Sequence, residues 1–134
     1  MHYLLDTNVC IQLIRQRSPV LLARILSFET GDLGLSTITV AELQYGVFKS
    51  RYAEQNAAAL EAFLLPFDVR PFREDAAAAY GRIRTELEIR GEPIGSLDTL
   101  LAAHAVALGV PIVTHNTREF RRVPGLDVED WTEE

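Results

Sequence analysis

The chain has a single cysteine, Cys10, among its 134 residues. No disulfide can form within it, so we expect a protein made for a reducing compartment, and the cytoplasm is the expected location. Long apolar runs are also lacking, since no stretch of the sequence approaches the roughly 20 apolar residues that span a bilayer. The N-terminus has no basic segment followed by an apolar one. Membrane insertion and secretion are therefore not expected.

Positive charge is scarce as well. The 13 Lys and Arg residues against 19 Asp and Glu give a formal net charge of −6, which argues against a nucleic-acid partner because phosphates favour basic surfaces. Five of the acidic residues lie within positions 127–134, however, so residues 1–126 hold 13 basic and 14 acidic side chains. Basic residues cluster around Arg15, Lys49 and Arg118. We interpret these clusters as candidate phosphate contacts, with ordinary solvated helix faces as the alternative.

Short apolar runs alternate with helical patterns along the chain. Strand-like runs occupy residues 3–6, 33–39, 67–72, 110–115 and 126–131. Apolar residues at helical spacing cover 7–16, 18–29, 40–50, 53–66, 73–90 and 96–109. Strands separated by helices favour a parallel sheet with helices on both faces. We therefore predict one α/β domain over residues 1–134, built on a small, mostly parallel sheet.

Four side chains that carry oxygen atoms occur where a predicted strand ends or a predicted helix begins: Asp6, Glu42, Asp98 and Asn116. Each has a structural explanation. Asp6 and Asn116 are possible helix caps, and Glu42 follows Thr39 at the spacing of a capping box. Asp98 lies near a helix start, where the helix macrodipole favours a negative charge. Taken singly, none of the four indicates a function.

Taken together, the positions of these four residues indicate a functional site, because the active sites of parallel sheets lie at the carboxyl ends of the strands. Carboxylates held close together repel one another, which raises their pKa values unless a cation neutralises them. Hard oxygen ligands, without a cysteine cluster or paired histidines, favour Mg²⁺ or Mn²⁺ over zinc. Such a cluster typically activates water for phosphodiester hydrolysis. The pattern therefore predicts a divalent-metal site at one edge of the sheet.

Four segments of the sequence together resemble a known family. They are "YLLDTN", "STITVAELQYG", "IGSLDTLLAAHAVALG" and "VTHNTREF", in that order and spread over nearly the whole chain. Each segment is weak alone, but their order and spacing within one small domain are specific. The chain resembles a PIN domain of the VapC toxin type, and this resemblance implies a metal-dependent endoribonuclease with an α/β sandwich fold.

The resemblance also implies roles for individual residues. The family's first three acidic positions fall on Asp6, Glu42 and Asp98, which would bind Mg²⁺ or Mn²⁺ and hydrolyse RNA phosphodiester bonds with a metal-activated water. Its fourth position, often acidic, falls on Asn116. An amide contributes an oxygen but no negative charge, so we expect Asn116 to orient water or one ion.

Neighbouring polar residues are expected to support this site. Thr7 and Asn8 follow Asp6 in the first motif, and Thr114 precedes Asn116 in the last. We expect them to orient the carboxylates and the attacking water by hydrogen bonds, with helix capping as the alternative. Arg15, Lys49 and Arg118 would position RNA phosphates. The resemblance further implies a cognate VapB-like antitoxin that blocks the site, and a homodimer.

Two other functions remain open at this point. An aspartyl-phosphate phosphotransferase of the haloacid dehalogenase kind would use Asp6 as nucleophile, but it needs a second aspartate where this chain has Asn8. A catalytically silent PIN-like module would only bind RNA or a protein partner. Asn116 and the net acidity are the features compatible with that alternative, and a silent module need not bind metal.

Three further residues are not assigned to the site. His104 lies in the apolar stripe of the helix over residues 96–109 and is predicted to be a packed, hydrogen-bonded histidine. Cys10 is predicted to be a small buried hydrophobe without a base partner. His115 neighbours Asn116 and is predicted to lie at the rim of the pocket.

Overall fold

Five short strands form one sheet in which every neighbouring pair is parallel. The computed structural model describes residues 1–132, so Glu133 and Glu134 of the acidic C-terminal run lie outside the described residues. The strands are β1 (Tyr3–Leu5), β2 (Leu33–Ser36), β3 (Asp68–Arg70), β4 (Ile112–Val113) and β5 (Val128–Glu129). Their order across the sheet is β3-β2-β1-β4-β5.

Helices fill the connections between the strands. They are α1 (Thr7–Ile14), α2 (Pro19–Leu26), α3 (Thr37–Phe48), α4 (Ala53–Leu64), α5 (Glu74–Ile89), α6 (Ser96–Leu108) and α7 (Thr117–Phe120). The start of α2 follows the expected chemistry, because Ser18 accepts a hydrogen bond from the Leu21 N–H at 3.1 Å and Pro19 takes the first helical position. At the other end of a helix, Gly109 adopts the left-handed conformation with φ 71° and ends α6. Within residues 1–132 no helix is both long and apolar enough to cross a membrane.

The hydrophobic core lies on both faces of the sheet. Successive residues of a strand point to opposite faces, and accordingly Leu4 packs with one buried cluster while Leu5 packs with the other. The first cluster contains apolar residues of α5, α6 and α7, and the second contains residues of α1, α2, α3 and α4 together with Trp131. The predicted α/β fold, with a parallel sheet between two layers of helices, is confirmed.

The strand order creates a topological switch point next to β1. The chain moves from β1 to β2 and β3 on one side, then crosses to β4 and β5 on the other. Connections that leave the carboxyl ends of β1 and β4 therefore diverge, which opens a crevice at that edge of the sheet. Asp6 follows β1 and Thr114 follows β4, so both lie at the mouth of the crevice.

Most elements are shorter than their predicted ranges by one to three residues at an end, and the boundary between β2 and α3 is the difference that affects the site. The strand expected over residues 33–39 ends at Ser36, and α3 begins at Thr37 rather than at residue 40. Ser36 is the N-cap of α3, because its hydroxyl accepts a hydrogen bond from the Ile38 N–H at 3.0 Å. Thr39 is therefore inside the helix, and the predicted capping box of Thr39 with Glu42 is wrong.

Candidate metal-binding and catalytic site

Asp6 is held at the end of β1 by partners from two directions. Its backbone N–H donates to Val113 O at 3.0 Å, which extends the pairing of β1 with β4 by one residue. Its Oδ1 accepts from the Val9 N–H at 2.8 Å and thereby caps α1. Its Oδ2 accepts from the Thr114 hydroxyl at 2.5 Å. With 2% of its surface exposed, this carboxylate has a fixed orientation.

The environment of Asp6 disfavours its ionised form. Burial raises its pKa to about 6, and the negative charges of Asp98 and Glu42 add to the increase. The hydrogen bonds from Thr114 and Val9 lower the pKa and offset part of this effect. Asp98 and Glu42 therefore lie close enough to Asp6 for their charges to affect its pKa, although they belong to two other helices.

Glu42 extends from α3 towards the start of α1. The Thr7 hydroxyl lies 2.7 Å from Glu42 Oε1 and 3.1 Å from the Thr39 hydroxyl. A hydroxyl carries one proton, so Thr7 donates to the carboxylate, which is the stronger acceptor, and Thr39 donates to Thr7. Thr39 is fully buried. The result is a directed chain of hydrogen bonds that orients Glu42, and the contribution of Thr39 was missed by the sequence prediction.

Asp98 and Asn116 contact each other directly. Asp98 lies in the first turn of α6, and its Oδ2 accepts from Asn116 Nδ2 at 3.2 Å. Burial raises the pKa of Asp98, the hydrogen bond from Asn116 lowers it, and the charge of Glu119 raises it further. Asn116 stands at the predicted N-cap position of α7, but its side chain makes no capping bond there and donates to Asp98 instead.

The loop that carries Asn116 is itself anchored to the site. The Asn116 N–H donates to the Thr114 hydroxyl oxygen at 2.9 Å, while that hydroxyl donates its proton to Asp6. Thr114 is completely buried and thus connects Asn116 to Asp6 through one side chain. Asn8 differs from these residues because its side chain is exposed, and no hydrogen bond of that side chain is found within residues 1–132. Its supporting role stays a prediction.

The donor set suits a hard divalent cation. The converging groups are carboxylate, amide and hydroxyl oxygens, which Mg²⁺ and Mn²⁺ prefer, and a cation would offset the repulsion that the charges of Asp98 and Glu42 exert on Asp6. Within the described part of the chain, no three His, Cys, Asp or Glu side chains already stand at the spacing of a formed metal site. The residues therefore fit such an ion chemically, and binding would draw the three carboxylates closer together.

A groove of about 850 Å³ leads away from this edge between α1, α3 and α4. Thr7 and Glu42 lie at the site end of the groove, and Arg15 and Lys49 are also among its lining residues. The Lys49 ammonium lies 4.7 Å from the centre of the Tyr45 ring, and this ring is 66% exposed. Arg118 lies elsewhere, exposed on α7 two residues after Asn116.

His104 and Cys10 have the predicted surroundings, whereas the place of His115 at the rim of the pocket stays a prediction. His104 is 2% exposed, and its Nδ1 lies 2.8 Å from the Ser36 hydroxyl. Burial lowers the pKa of His104, so the ring is neutral and packed as predicted. Cys10 is fully buried, and burial raises the pKa of its thiol, which keeps it protonated. His115 is exposed and pairs with Asp130 at 3.1 Å.

Comparisons with known proteins match nearly the whole chain. Residues 3–126 match the PIN domain family. The chain is 41% identical over 132 residues to the tRNA(fMet)-specific endonuclease VapC of Shigella flexneri, covering 98% of this chain and 99% of that one. It is 40% identical over 132 residues to ribonuclease VapC2 of Rickettsia felis, covering 98% of each.

Solved structures resemble the fold equally well. DNA-bound VapBC from Salmonella typhimurium matches with a TM-score of 0.92 and 39% identity over 98% of each chain. VapBC2 from Rickettsia felis, bound to a DNA fragment from their promoter, matches with a TM-score of 0.89 and 39% identity, covering 98% of this chain and 99% of that one.

Proposed function

The chain belongs to the PIN-domain family and, within it, to the VapC ribonucleases, and from this premise we propose that Asp6, Glu42 and Asp98 form the site at which it hydrolyses RNA. The ribonuclease activity and the toxin class predicted from the four sequence motifs are thereby confirmed. The identity of the metal, the role of each residue, the RNA target and the partners are the finer parts of this proposal.

One observation supports the site above the others. Three side-chain hydrogen bonds join segments that are far apart in sequence, and all three lie at the same edge of the sheet: Thr114 to Asp6, Thr7 to Glu42, and Asn116 to Asp98. A capping side chain needs hydrogen bonds only with the backbone of the helix that it begins. Residues that merely ended their helices would not bring oxygen atoms from four segments together.

Asp6, Glu42 and Asp98 would hold the divalent ion, and Mg²⁺ or Mn²⁺ is the ion that this oxygen donor set favours. When bound, the ion supplies positive charge that stabilises the reacting phosphate and acidifies the attacking water. Asp6 and Asp98 have raised pKa values without it. A cation between them would favour their ionised forms and remove part of the electrostatic cost of holding them together.

The surrounding side chains fix the orientation of these carboxylates. Thr114 and the Val9 N–H hold both oxygens of Asp6, and Thr7 holds one oxygen of Glu42. Asn116 donates to Asp98 and keeps its own amide oxygen free to accept a hydrogen bond from water. Such partners of metal ligands typically change affinity or activity by about 10- to 100-fold when removed.

Arg15 and Lys49 line the groove that leads to Thr7 and Glu42 and are suited to bind RNA phosphates there. Arg118 lies close to Asn116 in sequence and would contact phosphates on the other side of the site. The exposed Tyr45 ring beside Lys49 offers a surface on which an unpaired base can stack. Single-stranded or looped RNA is therefore the expected form of substrate, because paired bases are not available for such stacking.

Initiator tRNA is our proposed substrate. The VapC relatives from Shigella flexneri and Salmonella typhimurium are named as tRNA(fMet)-specific endonucleases, and this chain is 41% and 39% identical to them. A tRNA presents folded loops with unstacked bases, which suits a site approached through an open groove.

A VapB-like antitoxin is the proposed partner, since solved structures similar to this chain are named as VapBC complexes. We further propose that the toxin alone forms a homodimer, which the light scattering of the purified chain would test. The cytoplasm is the proposed location, because the substrate is found there and the one cysteine of the chain is a buried thiol.

The proposal is tested with antitoxin-free protein and two substrates, an initiator tRNA and an elongator tRNA, in the presence of Mg²⁺, Mn²⁺ or EDTA. We expect cleavage of the initiator tRNA with either metal and none in EDTA. The Asp6→Asn variant is expected to be inactive, while Glu61→Gln, which removes an exposed carboxylate on α4, should cleave like the wild type.

Each part of the proposal can fail separately. Equal cleavage of both tRNAs would refute the proposed preference for initiator tRNA but leave the ribonuclease activity supported. Cleavage that persists in EDTA would refute the requirement for a divalent metal ion. A folded wild-type protein that binds Mn²⁺ but cleaves neither tRNA would show that another RNA is the target.

A further inference from the structure

Asp98 and Asn116 belong to two segments that must be held side by side. Asp98 follows the connection of residues 90–95 between α5 and α6, and Asn116 begins the segment of residues 116–122 that contains α7. Their direct contact is 3.2 Å long, which is longer than hydrogen bonds to carboxylates usually are. A contact of this length does not by itself fix two segments, so other links between them are of interest.

Arg122 provides these links at the far end of the same two segments. Its Nη1 donates to the Pro93 carbonyl at 3.0 Å, and its Nε lies 4.0 Å from Glu92 Oε2. In return, the Arg90 guanidinium donates to the Arg122 carbonyl. The Arg122 side chain is only 26% exposed. Contacts thus run in both directions between the connection before α6 and the end of α7.

Within residues 1–132 the connection before α6 is held by few backbone hydrogen bonds, although Ile94 packs against the core. Its backbone bonds at residues 91 and 92 return to the end of α5, and the next bond, from the Thr99 N–H to Gly95 O, already belongs to α6. Pro93 has no N–H to donate, and its carbonyl is the group that Arg122 binds. A guanidinium can donate to a carbonyl and pair with a carboxylate at once, which a lysine ammonium cannot match in geometry.

We propose that Arg122 is a positioning residue for the catalytic site: by clamping Pro93 and Glu92 to the end of α7, it sets Asp98 against Asn116. Arg122 does not touch the reacting groups in this account. Its effect reaches Asp98 through the short connection of residues 93–97, and the inference rests on the proposed function of Asp98 as a metal ligand.

The test compares Arg122→Gln with Arg82→Gln, which removes an exposed arginine of α5 for which the described residues show no side-chain hydrogen bond or ion pair. We expect Arg122→Gln to lower kcat and the affinity for Mn²⁺ by about 10-fold, the size typical of residues that orient metal ligands. The KM for RNA should change little. Hydrogen exchange should become faster over residues 90–99 and 114–122, and Arg82→Gln should show none of these effects.

Arg122→Lys separates positioning from phosphate binding. Lysine keeps the charge but can replace only one of the two contacts, so positioning predicts partial recovery of kcat and of Mn²⁺ affinity. A phosphate contact predicts instead a raised KM, a weaker salt dependence in Arg122→Gln and full recovery in Arg122→Lys. That second result would overturn the proposal.

Loss of stability alone would also overturn it. If Arg122→Gln melts at a lower temperature but keeps wild-type kcat and Mn²⁺ affinity well below its melting point, Arg122 is only structural. If Arg122→Gln does not fold, wild-type kcat and Mn²⁺ affinity in Arg122→Lys lead to the same conclusion. A wild-type protein that neither cleaves RNA nor binds Mn²⁺ would refute the function of the site itself, which is a distinguishable outcome.

Discussion

At the scale of single residues, Asp6 serves two purposes with its two oxygens. One oxygen caps α1 and the other is held by Thr114 at the site. The helix-capping explanation is therefore confirmed for this residue, and the other oxygen is available for the proposed catalytic role. Its burial has a consequence for stability, because an ionised carboxylate that is 2% exposed must lose most of its hydration when the protein folds.

We predict that Asp6→Asn stabilises the metal-free protein at neutral pH while abolishing cleavage. The pKa of Asp6 is raised from 3.8 to about 6 in the folded protein, so the folded state carries the full penalty of ionisation above pH 6 and none below pH 4. A shift of this size corresponds to about 3 kcal/mol. Asparagine keeps the shape without the charge. Urea unfolding in EDTA should show the variant more stable at pH 8, with the difference vanishing near pH 4.

Glu61→Gln is the control for this measurement, since Glu61 is exposed and its charge should hardly affect the free energy of unfolding. A stability difference between Asp6→Asn and the wild type that does not depend on pH would show that Asp6 is not an ionised, buried group. A variant that is less stable at pH 8 would show that the hydrogen bonds of Asp6 outweigh its desolvation.

The site residues differ in how far the sequence predicts them. Asp6 and Asp98 could be selected because each carboxylate stands at the start of a helix. Glu42 was selected with them because α3 was expected to begin at residue 40, whereas Glu42 lies in the second turn of the observed helix. The buried hydroxyl of Thr39 could not, because its role depends on the packing of α3 against α1, which brings it to Thr7 across 32 positions of sequence. Local patterns carry no information about such a contact.

At the scale of secondary-structure elements, Ser36 joins three of them. It ends β2, caps α3 through the Ile38 N–H and lies 2.8 Å from Nδ1 of His104 on α6. The His104 ring donates its one N–H to the Pro71 carbonyl, so its Nδ1 accepts a hydrogen bond from the Ser36 hydroxyl. The start of α3, and with it the direction in which Glu42 extends, depends on this one side chain.

Ser36→Ala is predicted to reduce the free energy of unfolding by about 2 kcal/mol. Loss of a cap typically accounts for about 1 kcal/mol, and the buried His104 nitrogen left without a partner adds about as much. Ser27→Ala is the matched control, because it removes an exposed hydroxyl that bonds Arg24 O and should change stability by less than about 0.5 kcal/mol. Urea denaturation measures both, and equal effects of the two substitutions would refute the role of Ser36.

The boundaries of the elements were predictable where capping chemistry is local. Ser18 with Pro19 predicts the start of α2 within one residue, because the cap and the proline act on their own helix. The boundary between β2 and α3 was placed wrongly because Thr37, Ile38 and Thr39 are β-branched and typical of strands. Here Ser36 caps α3 and also makes a buried contact with His104, 68 positions away, so a tertiary contact supports a helix start that β-propensity does not predict.

At the scale of the whole molecule, the alternation of strands and helices was enough to predict a parallel sheet with two helical layers. The order β3-β2-β1-β4-β5 was not predictable in the same way, because it depends on which side of β1 each crossover takes. That choice creates the crevice between β1 and β4, and so it decides that Asp6 and Thr114 meet.

The charge of the whole chain predicts a weak dependence of RNA cleavage on salt. With a net charge of −6, general attraction to RNA is small, and only local contacts contribute. Each phosphate contact to a single strand adds about −0.7 to the slope of log affinity against log salt concentration. In a plot of log kcat/KM against log salt concentration, Arg15→Gln and Lys49→Gln should each make the slope less steep by about this amount. Unchanged slopes in both variants would exclude the groove as the path of the RNA.

The most direct test of the central claim is cleavage of initiator tRNA by Asp98→Asn in Mn²⁺, together with the Mn²⁺ affinity of the same variant. The substitution removes one charge, keeps the size of the side chain and leaves an oxygen for Asn116 Nδ2 to bind. We predict a folded protein whose cleavage rate falls by about 100-fold or more and whose Mn²⁺ affinity falls with it. Wild-type cleavage and Mn²⁺ binding in folded Asp98→Asn would contradict the assignment of this edge of the sheet as the catalytic site.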